Sequence, residues 1–154
     1  MNEIRRKDRA ISEIEAIQLL KDGEYGVLSM GTADQGGYGI PLNYVYDDGA
    51  IYFHCAPEGE KLNFLNTCNK VSFCVVGKTE VMPSKFGTLY ESAIAFGEIS
   101  ELQGEEKQRA LVLFIEKYSA DYRNEGQAYL EKLFDRVKIL KLSVNLVTGK
   151  ARKH

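Results

Sequence analysis

Apolar residues at helical spacing predict the first element of the chain. Ser12 and Glu15 form the S-x-x-E pattern of a capping box, in which two side chains satisfy the free amides of a helix N-terminus. The apolar positions that follow at a spacing of three are Ile14, Ile17 and Leu20. Together they predict a helix over residues 13–21, which Asp22-Gly23 ends.

Short apolar runs separated by turn residues then predict strands. The predicted strands cover residues 25–32, 38–46, 50–55, 71–77, 89–102 and 137–144. Pro41 indicates an edge strand or a bulge, because proline cannot donate a hydrogen bond to a neighbouring strand. Asp47-Asp48-Gly49 predicts a tight hairpin turn between the second and third strands.

Two helical patterns lie between the last two strands, and a short helix is expected to begin near Lys61. The two apolar faces consist of Leu111, Phe114, Ile115 and Tyr118, and of Tyr129, Leu130, Leu133 and Phe134. Because the strands do not alternate with helices, the pattern disfavours a doubly wound sheet. The pattern favours a mainly β fold with helices (α+β), a six-stranded antiparallel barrel with flanking helices in one domain over residues 1–154.

Composition narrows the functional classes. A chain of 154 residues with 44% hydrophobic residues, 27% charged residues and a net charge of −2 is typical of one globular domain. No long basic stripe is present to contact phosphates, so we expect no nucleic-acid partner. No apolar run approaches the roughly 18–20 residues that span a bilayer, and the N-terminus lacks the apolar stretch of a signal peptide. We therefore expect a cytoplasmic protein without a membrane partner.

The number and spacing of the cysteines predict reduced thiols and argue against a metal site. Cys55, Cys68 and Cys74 are odd in number and contain no C-x-x-C pair. With only two histidines in the chain, a four-ligand zinc site would need distant partners, and we expect no metal site. His54 and Cys55 are adjacent, but neighbouring residues on a strand point to opposite faces, which disfavours a catalytic pair.

The most informative segment is residues 51–65, in which a strand leads through a loop into a helix. Gly59 permits close approach of the backbone, and Lys61 adds a positive charge to the free amides of the helix N-terminus. That combination suits a phosphate group. The alternative is an ordinary capped helix with a solvated lysine, because a Gly-x-Lys sequence at a helix start is common.

His54 and the tyrosines each have two interpretations. His54 is either a rim or core histidine, or a hydrogen-bond donor and proton relay that faces a ligand just before the phosphate loop. Tyr38, Tyr44 and Tyr46 share one face of a predicted strand, and Tyr52 lies on the next. Their face could stack on a flat ring, or form a half-exposed sheet surface or a dimer contact.

Residues along nearly the whole chain carry a family resemblance. The matching segments are RRKDR at 5–9, YGVLS at 25–29, PLNY at 41–44, IYFHCA at 51–56 with Gly59 and Lys61 behind it, NKVSF at 69–73, YESAI at 90–94 through Gly97, EEK at 105–107 and TGK at 148–150. In this order they resemble the pyridoxamine 5'-phosphate oxidase-like flavin-binding split barrels, and specifically the nitroimidazole-resistance (Nim) branch.

The resemblance implies a flavin mononucleotide (FMN) site at a homodimer interface, with flavin adenine dinucleotide (FAD) as the other flavin open to it. The residues that would line the isoalloxazine ring are Ile40, Pro41, Leu42 and Asn43. Phe53 and His54 would lie beside the flavin. Lys61, behind Gly59, would bind the phosphate. Ser92 would reach the flavin of the partner subunit, and Lys150 would close over the site.

Two positions depart from the broader family. Glu60 precedes the expected phosphate lysine where relatives often carry a base, and a carboxylate there weakens phosphate binding unless it points to solvent. Tyr38-Gly39 stand where pyridoxamine-phosphate oxidases carry basic substrate contacts. That difference argues against a vitamin B6 substrate.

The resemblance thus implies a flavin-dependent oxidoreductase of the nitroimidazole-reductase type with His54 as its catalytic residue. Its partners would be a small-molecule acceptor and a nicotinamide donor, NAD(P)H. The sequence contains no glycine-rich dinucleotide fingerprint, so the nicotinamide would bind transiently, or another electron donor would act. The alternatives are a flavin carrier or sensor without catalysis, and a haem-binding split barrel with His54 as iron ligand.

Overall fold

The computed structural model describes residues 3–154, which form four helices and seven strands. The helices are α1 (Glu13–Asp22), α2 (Glu60–Thr67), α3 (Gly104–Tyr118) and α4 (Arg123–Leu133). The strands are β1 (Tyr25–Thr32), β2 (Gly36–Asn43), β3 (Val45–Asp47), β4 (Ala50–Cys55), β5 (Lys70–Met82), β6 (Gly87–Leu102) and β7 (Lys138–Arg152).

All seven strands belong to one antiparallel sheet in the order β2-β1-β5-β6-β7-β4-β3. The predicted fold class is therefore confirmed, with helices flanking a curved antiparallel sheet. Residues of β2 and β4 contact each other across the open side of the sheet, but no ladder of hydrogen bonds closes it into a barrel. Pro41 lies in β2, at an edge of the sheet as predicted.

The predicted count of six strands is wrong, because the expected strand over residues 38–46 is interrupted at Tyr44. β2 ends at Asn43, which pairs with Tyr25 of β1, and β3 begins at Val45, which pairs with Tyr52 of β4. The chain therefore changes partner strand at a single residue. Since β2 and β3 are the two edges of the sheet, this residue carries the chain across the open side.

Side chains, not strands, satisfy the backbone of Tyr44. Its amide donates to the Tyr118 hydroxyl at 3.0 Å, and its carbonyl accepts from Lys117 Nζ at 2.9 Å. The phenol is fully buried and donates to the carbonyl of Leu20, near the end of α1, at 2.5 Å. The ring packs edge-on against Phe73, with 4.7 Å between centroids. Tyr44 thus joins both sheet edges to α1 and to the C-terminus of α3.

β5 and β7 continue well past the ends predicted for them. In each case a register shift interrupts the periodic pattern of the sequence although the strand itself goes on. The register between β5 and β6 shifts between Val76 and Thr79, and the register between β6 and β7 shifts at Phe96 and Gly97. An extra residue reverses the inward and outward alternation of a strand. The periodic patterns therefore stop at Gly77 and Val144, whereas the hydrogen-bonded strands run on to Met82 and Arg152.

The helices begin close to where their patterns place them. The capping box of α1 is present, since Ser12 Oγ accepts from the Glu15 amide at 3.1 Å and the Ser12 amide donates to Glu15 Oε2 at 3.0 Å. The predicted turn between β3 and β4 is also present, with Asp48 and Gly49 both at positive φ. Within residues 3–154, no helix is long and apolar enough to cross a membrane.

Two cores lie on opposite sides of the sheet. The larger fills the inside of its curve, where α1 and α2 pack against residues that include Leu28, Phe53 and Phe73. The smaller lies between α3, α4 and the far side of β3, β4 and β7, around Leu111, Phe114 and Ile139. β4 therefore has a buried partner on each face, which determines where its alternate side chains point.

Removing the Tyr44 hydroxyl tests how strongly this residue holds the fold. Tyr44→Phe leaves the Leu20 carbonyl without its donor, and we expect the free energy of unfolding to fall by about 1–3 kcal/mol. Chemical denaturation measures the change, with Tyr122→Phe, at an exposed tyrosine, as the matched control. Equal stability of Tyr44→Phe and the unmodified protein would contradict the anchoring role of this hydrogen bond.

Candidate functional site

The alternation along β2 and β4 divides the predicted ring-lining residues into two groups. Ile40, Leu42 and Phe53 pack into the larger core, and Phe53 is fully buried. Pro41 and Asn43 lie exposed on the opposite face of β2. Because the side chains of Ile40, Leu42 and Phe53 pack into this core, only the main chain of these three residues is available to contact a ligand. The segment over residues 40–43 lies on an edge strand, where one side of its backbone is not paired with another strand.

His54 points away from the larger core, towards α3. Its ring meets Phe114 edge-on with 4.8 Å between centroids, and Phe114 in turn lies nearly parallel to Tyr118 at 6.2 Å. His54 lines a cavity of about 370 Å³ between β4, α3 and α4. Partial burial against these groups lowers the pKa of His54, which favours its neutral form at physiological pH.

Asn43 lies at the rim of the same cavity, but its side-chain amide is already in use. Its Nδ2 donates to the carbonyl of Glu24 at 2.8 Å, and the Tyr118 hydroxyl lies 2.8 Å from the same carbonyl. Burial raises the pKa of Tyr118, so its hydroxyl keeps its proton. The strand-to-strand crossing at Tyr44 and the rim of the cavity therefore share the same hydrogen bonds.

The loop that is predicted to bind phosphate follows β4, the strand that carries His54. Gly59 precedes α2 with a φ of +145°, which L-residues rarely adopt, and no side chain caps the helix start. Lys61 Nζ reaches back to within 3.9 Å of the position that a Cβ on Gly59 would occupy. The Leu62 amide donates to the Gly59 carbonyl at 3.2 Å, which leaves the amides of Glu60 and Lys61 close to the Lys61 ammonium group. Glu60 is exposed, which keeps its carboxylate in contact with solvent.

Ser92 and Lys150 lie elsewhere, on the side of the sheet that neither α1 nor α2 covers. They are directly paired across β6 and β7, and with Arg5 they line a cavity of about 290 Å³. We call this side the outer face. It consists of Val27, Ser29, Ser72, Cys74, Ser92, Ile94, Phe96, Leu146, Thr148 and Lys150. One chain therefore does not bring these two residues to His54 and Lys61.

The tyrosines do not form an exposed stacking surface. Tyr38, Tyr44 and Tyr46 do share a face, as their spacing predicts, but all three pack into or against the larger core. Tyr38 stacks on Phe64 of α2 at 5.1 Å, and Tyr52 packs against the smaller core. Of the interpretations left open for this face, stacking on a flat ring at the surface is disfavoured, because Tyr44 is fully buried and α2 covers the end at Tyr38, while Tyr38 and Tyr46 remain partly exposed.

The cysteines are all free thiols, and Cys55 points into the larger core, away from His54. Burial raises the pKa of Cys55, although the nearby charge of Lys61 acts in the opposite direction. A protonated core thiol is a poor nucleophile. The structure thus separates Cys55 from His54, as strand alternation predicts.

Three side chains of α3 belong to the site although the sequence indicated only core packing for that helix. Phe114 and Tyr118 form the wall beside His54, and Lys117 lies 3.9 Å above the Tyr44 ring while its ammonium donates to the Tyr44 carbonyl. Burial lowers the pKa of Lys117 to about 8. Phe114 and Tyr118 have the spacing of any apolar helix face, which indicates packing against a core. The polar hydroxyl of Tyr118 is the one feature of that face that could have indicated a functional site.

Comparison with known proteins gives a family and a fold. A family model described as pyridoxamine 5'-phosphate oxidase matches residues 12–151. No curated protein matches the chain.

Solved structures with the same fold share little sequence with the chain. A candidate 5-nitroimidazole antibiotic resistance protein from Bacteroides thetaiotaomicron is 22% identical, with a TM-score of 0.75 over 92% of this chain and 86% of that one. An FAD-binding protein from Mesorhizobium loti is 21% identical, with a TM-score of 0.65 over 94% and 98%. An FAD- and haem-binding protein from Mycobacterium smegmatis is 14% identical, with a TM-score of 0.69 over 93% and 72%.

Proposed function

Because the chain belongs to the pyridoxamine 5'-phosphate oxidase family, we propose that it binds FMN and acts as a flavin-dependent oxidoreductase. The observation that carries this proposal is the arrangement at the end of β4, where His54 is followed within seven residues by an uncapped helix start that bears Lys61. The fold similarity to FAD-binding proteins supports a flavin and keeps FAD as the second cofactor choice.

The residues at the start of α2 fit a phosphate group. The amides of the first turn have no side-chain cap, Gly59 leaves the approach open, and Lys61 supplies the positive charge. Glu60 is exposed, so its carboxylate does not have to face the phosphate. The ring-lining contacts would come from the main chain of residues 40–43 on the neighbouring edge of the sheet.

His54 is the proposed catalytic residue. Bound flavin would supply the hydride and electron transfer between a nicotinamide donor and a small-molecule acceptor, such as a nitroaromatic compound. His54 would donate a hydrogen bond or a proton to the acceptor from its imidazole ring. Phe114 packs edge-on against that ring, and the lowered pKa favours the neutral imidazole, which donates one hydrogen bond from its N–H. Transfer of a proton would use the imidazolium form, whose population increases as the pH falls.

A homodimer completes the proposal. The outer face exposes Val27 and Leu146 beside the partly exposed Ile94 and Phe96, an apolar surface of the kind that marks an interface. Ser92 and Lys150 lie on this face, at a distance from His54 within one chain. Pairing of two outer faces would bring those two residues towards the flavin site of the partner subunit.

The first test is flavin binding and its dependence on Lys61. We expect the purified protein to show a flavin absorbance spectrum with about one FMN per chain. Lys61→Ala should weaken FMN binding about 10- to 100-fold, because it removes a charged hydrogen-bond donor to phosphate. Lys85→Ala, at an exposed lysine of the β5–β6 turn, is the matched control. A protein that takes up no flavin, or a Lys61→Ala variant with unchanged affinity, would refute the proposed phosphate site.

The second test concerns His54. His54→Ala should slow the reoxidation of reduced flavin by a nitroimidazole about a hundredfold or more, as expected for loss of a hydrogen-bond donor to the charge that develops on the acceptor. Flavin content should stay close to that of the unmodified protein. Stopped-flow absorbance measures the rate per bound flavin. Loss of flavin with an unchanged rate per bound flavin would assign His54 to binding and not to catalysis.

The third test concerns the dimer. Leu146→Glu places two carboxylates in a symmetric interface, and we expect the dissociation constant to rise about a hundredfold or more. Light scattering after size-exclusion chromatography measures the molar mass, and Val112→Glu, at a similarly exposed valine of α3, is the control. A monomeric unmodified protein at micromolar concentration would remove the dimer from the proposal.

Two other functions make different spectroscopic predictions. A flavin carrier or sensor would bind flavin but would show no turnover with a nicotinamide and an acceptor. A haem-binding protein, favoured by the fold similarity to an FAD- and haem-binding protein, would show a sharp Soret band that depends on His54.

A further inference from the structure

The cavity beside His54 shares Asn43 and His54 with the proposed flavin site, but the rest of its lining comes from residues that the flavin site does not use. Its walls are mainly apolar, with Leu111 and Leu130 from the two helices and Val137 from the approach to β7. Its volume of about 370 Å³ lies in the usual range of small-molecule pockets. His54, Tyr118 and Tyr129 line it and are also exposed to solvent, so the cavity is a cleft that a ligand could enter from outside.

The shape of the lining indicates a flat ligand. Phe114 and Tyr118 lie 6.2 Å apart with only 17° between their planes, and His54 meets Phe114 at 77°. Together they form one aromatic wall, with Tyr129 from α4 also lining the cavity. Aromatic walls of this kind favour aromatic ligands through offset stacking and edge contacts.

The charge of the lining indicates an uncharged ligand. Among residues 3–154, the cavity is lined by no Asp, Glu, Lys or Arg side chain, so a charged ligand would lose its hydration without gaining a counter-ion. Residues with polar side chains nevertheless also line the cavity, among them His54, Ser119 and Tyr129. A ligand with one polar group on an aromatic ring would therefore be matched at both ends.

We propose that the cavity between β4, α3 and α4 is a binding site for an uncharged aromatic molecule of one or two rings, oriented by a hydrogen bond to His54. Binding itself does not require a flavin. The role of the bound molecule as electron acceptor rests on the proposed function, in which Asn43 and His54 are shared by flavin and acceptor. The cavity, distinct from the phosphate loop at Lys61, would then select acceptors by flatness and neutrality.

A matched pair of probes tests this proposal on the purified protein, whose flavin content is measured separately by absorbance. At pH 7.5, 2-naphthol is uncharged, whereas 2-naphthoate has a similar shape and carries a negative charge. We expect one molecule of 2-naphthol to bind per chain, at least about tenfold more tightly than 2-naphthoate. Nuclear Overhauser contacts should join the probe to ring protons of His54 and Phe114.

Two variants on α4 locate the probe. Leu133 lines the cavity, so Leu133→Trp should fill it and weaken 2-naphthol binding about tenfold or more. Lys132 is its exposed neighbour, and Lys132→Trp should bind like the unmodified protein. Circular dichroism checks that each variant is folded. If Leu133→Trp does not fold, the contacts to His54 and Phe114 in the unmodified protein decide the result.

Three results would overturn the proposal: equal affinity for both probes, unchanged affinity of a folded Leu133→Trp variant, or no contact to the His54 ring. Stoichiometric displacement of 2-naphthol by FMN would also overturn it, since the cavity would then be part of the flavin site. A protein that binds 2-naphthol as described but takes up no flavin would refute the proposed function and leave this binding site intact.

Discussion

The fold depends on the way a single residue, Tyr44, is held at the open side of the sheet. Its amide and carbonyl have no strand partner, and burying them would be costly without other hydrogen bonds. Tyr118 and Lys117 supply those bonds from the end of α3, while the Tyr44 phenol satisfies a carbonyl near the end of α1. Because β2 and β3 are the two edges of the sheet, this cluster connects the edges without a ladder between them.

The same cluster links stability to the candidate site. Asn43 and Tyr118 hold the crossing in place, and both also line the cavity beside His54. The lysine of the cluster is partly desolvated, so its pKa falls to about 8, below that of a free lysine. A change at the C-terminus of α3 would therefore alter both the strand crossing and the wall that faces His54.

The two faces of β4 separate structural and chemical roles. Phe53 and Cys55 enter the larger core, while Tyr52 and His54 face α3 and α4. This separation places His54 beside mainly apolar side chains, where its neutral form is favoured. β4 ends at Cys55, and a short loop then leads to Gly59 and Lys61, which form the candidate phosphate site. One short segment therefore places both the histidine and the candidate phosphate site.

The sequence alone determined those features that depend on local chemistry. These are the capping box of α1, the hairpin at Asp48-Gly49, the antiparallel fold class and the segment from His54 to Lys61, because each arises from neighbouring residues or a regular period. Only the tertiary structure decided where the periods fail. The break at Tyr44 and the bulge beside Gly97 arise from partners far along the chain, as does the burial of the tyrosines. The cavity beside His54 was equally hidden, since Phe114 and Tyr118 have the spacing of any packed helix and become a wall only when α3 lies against β4.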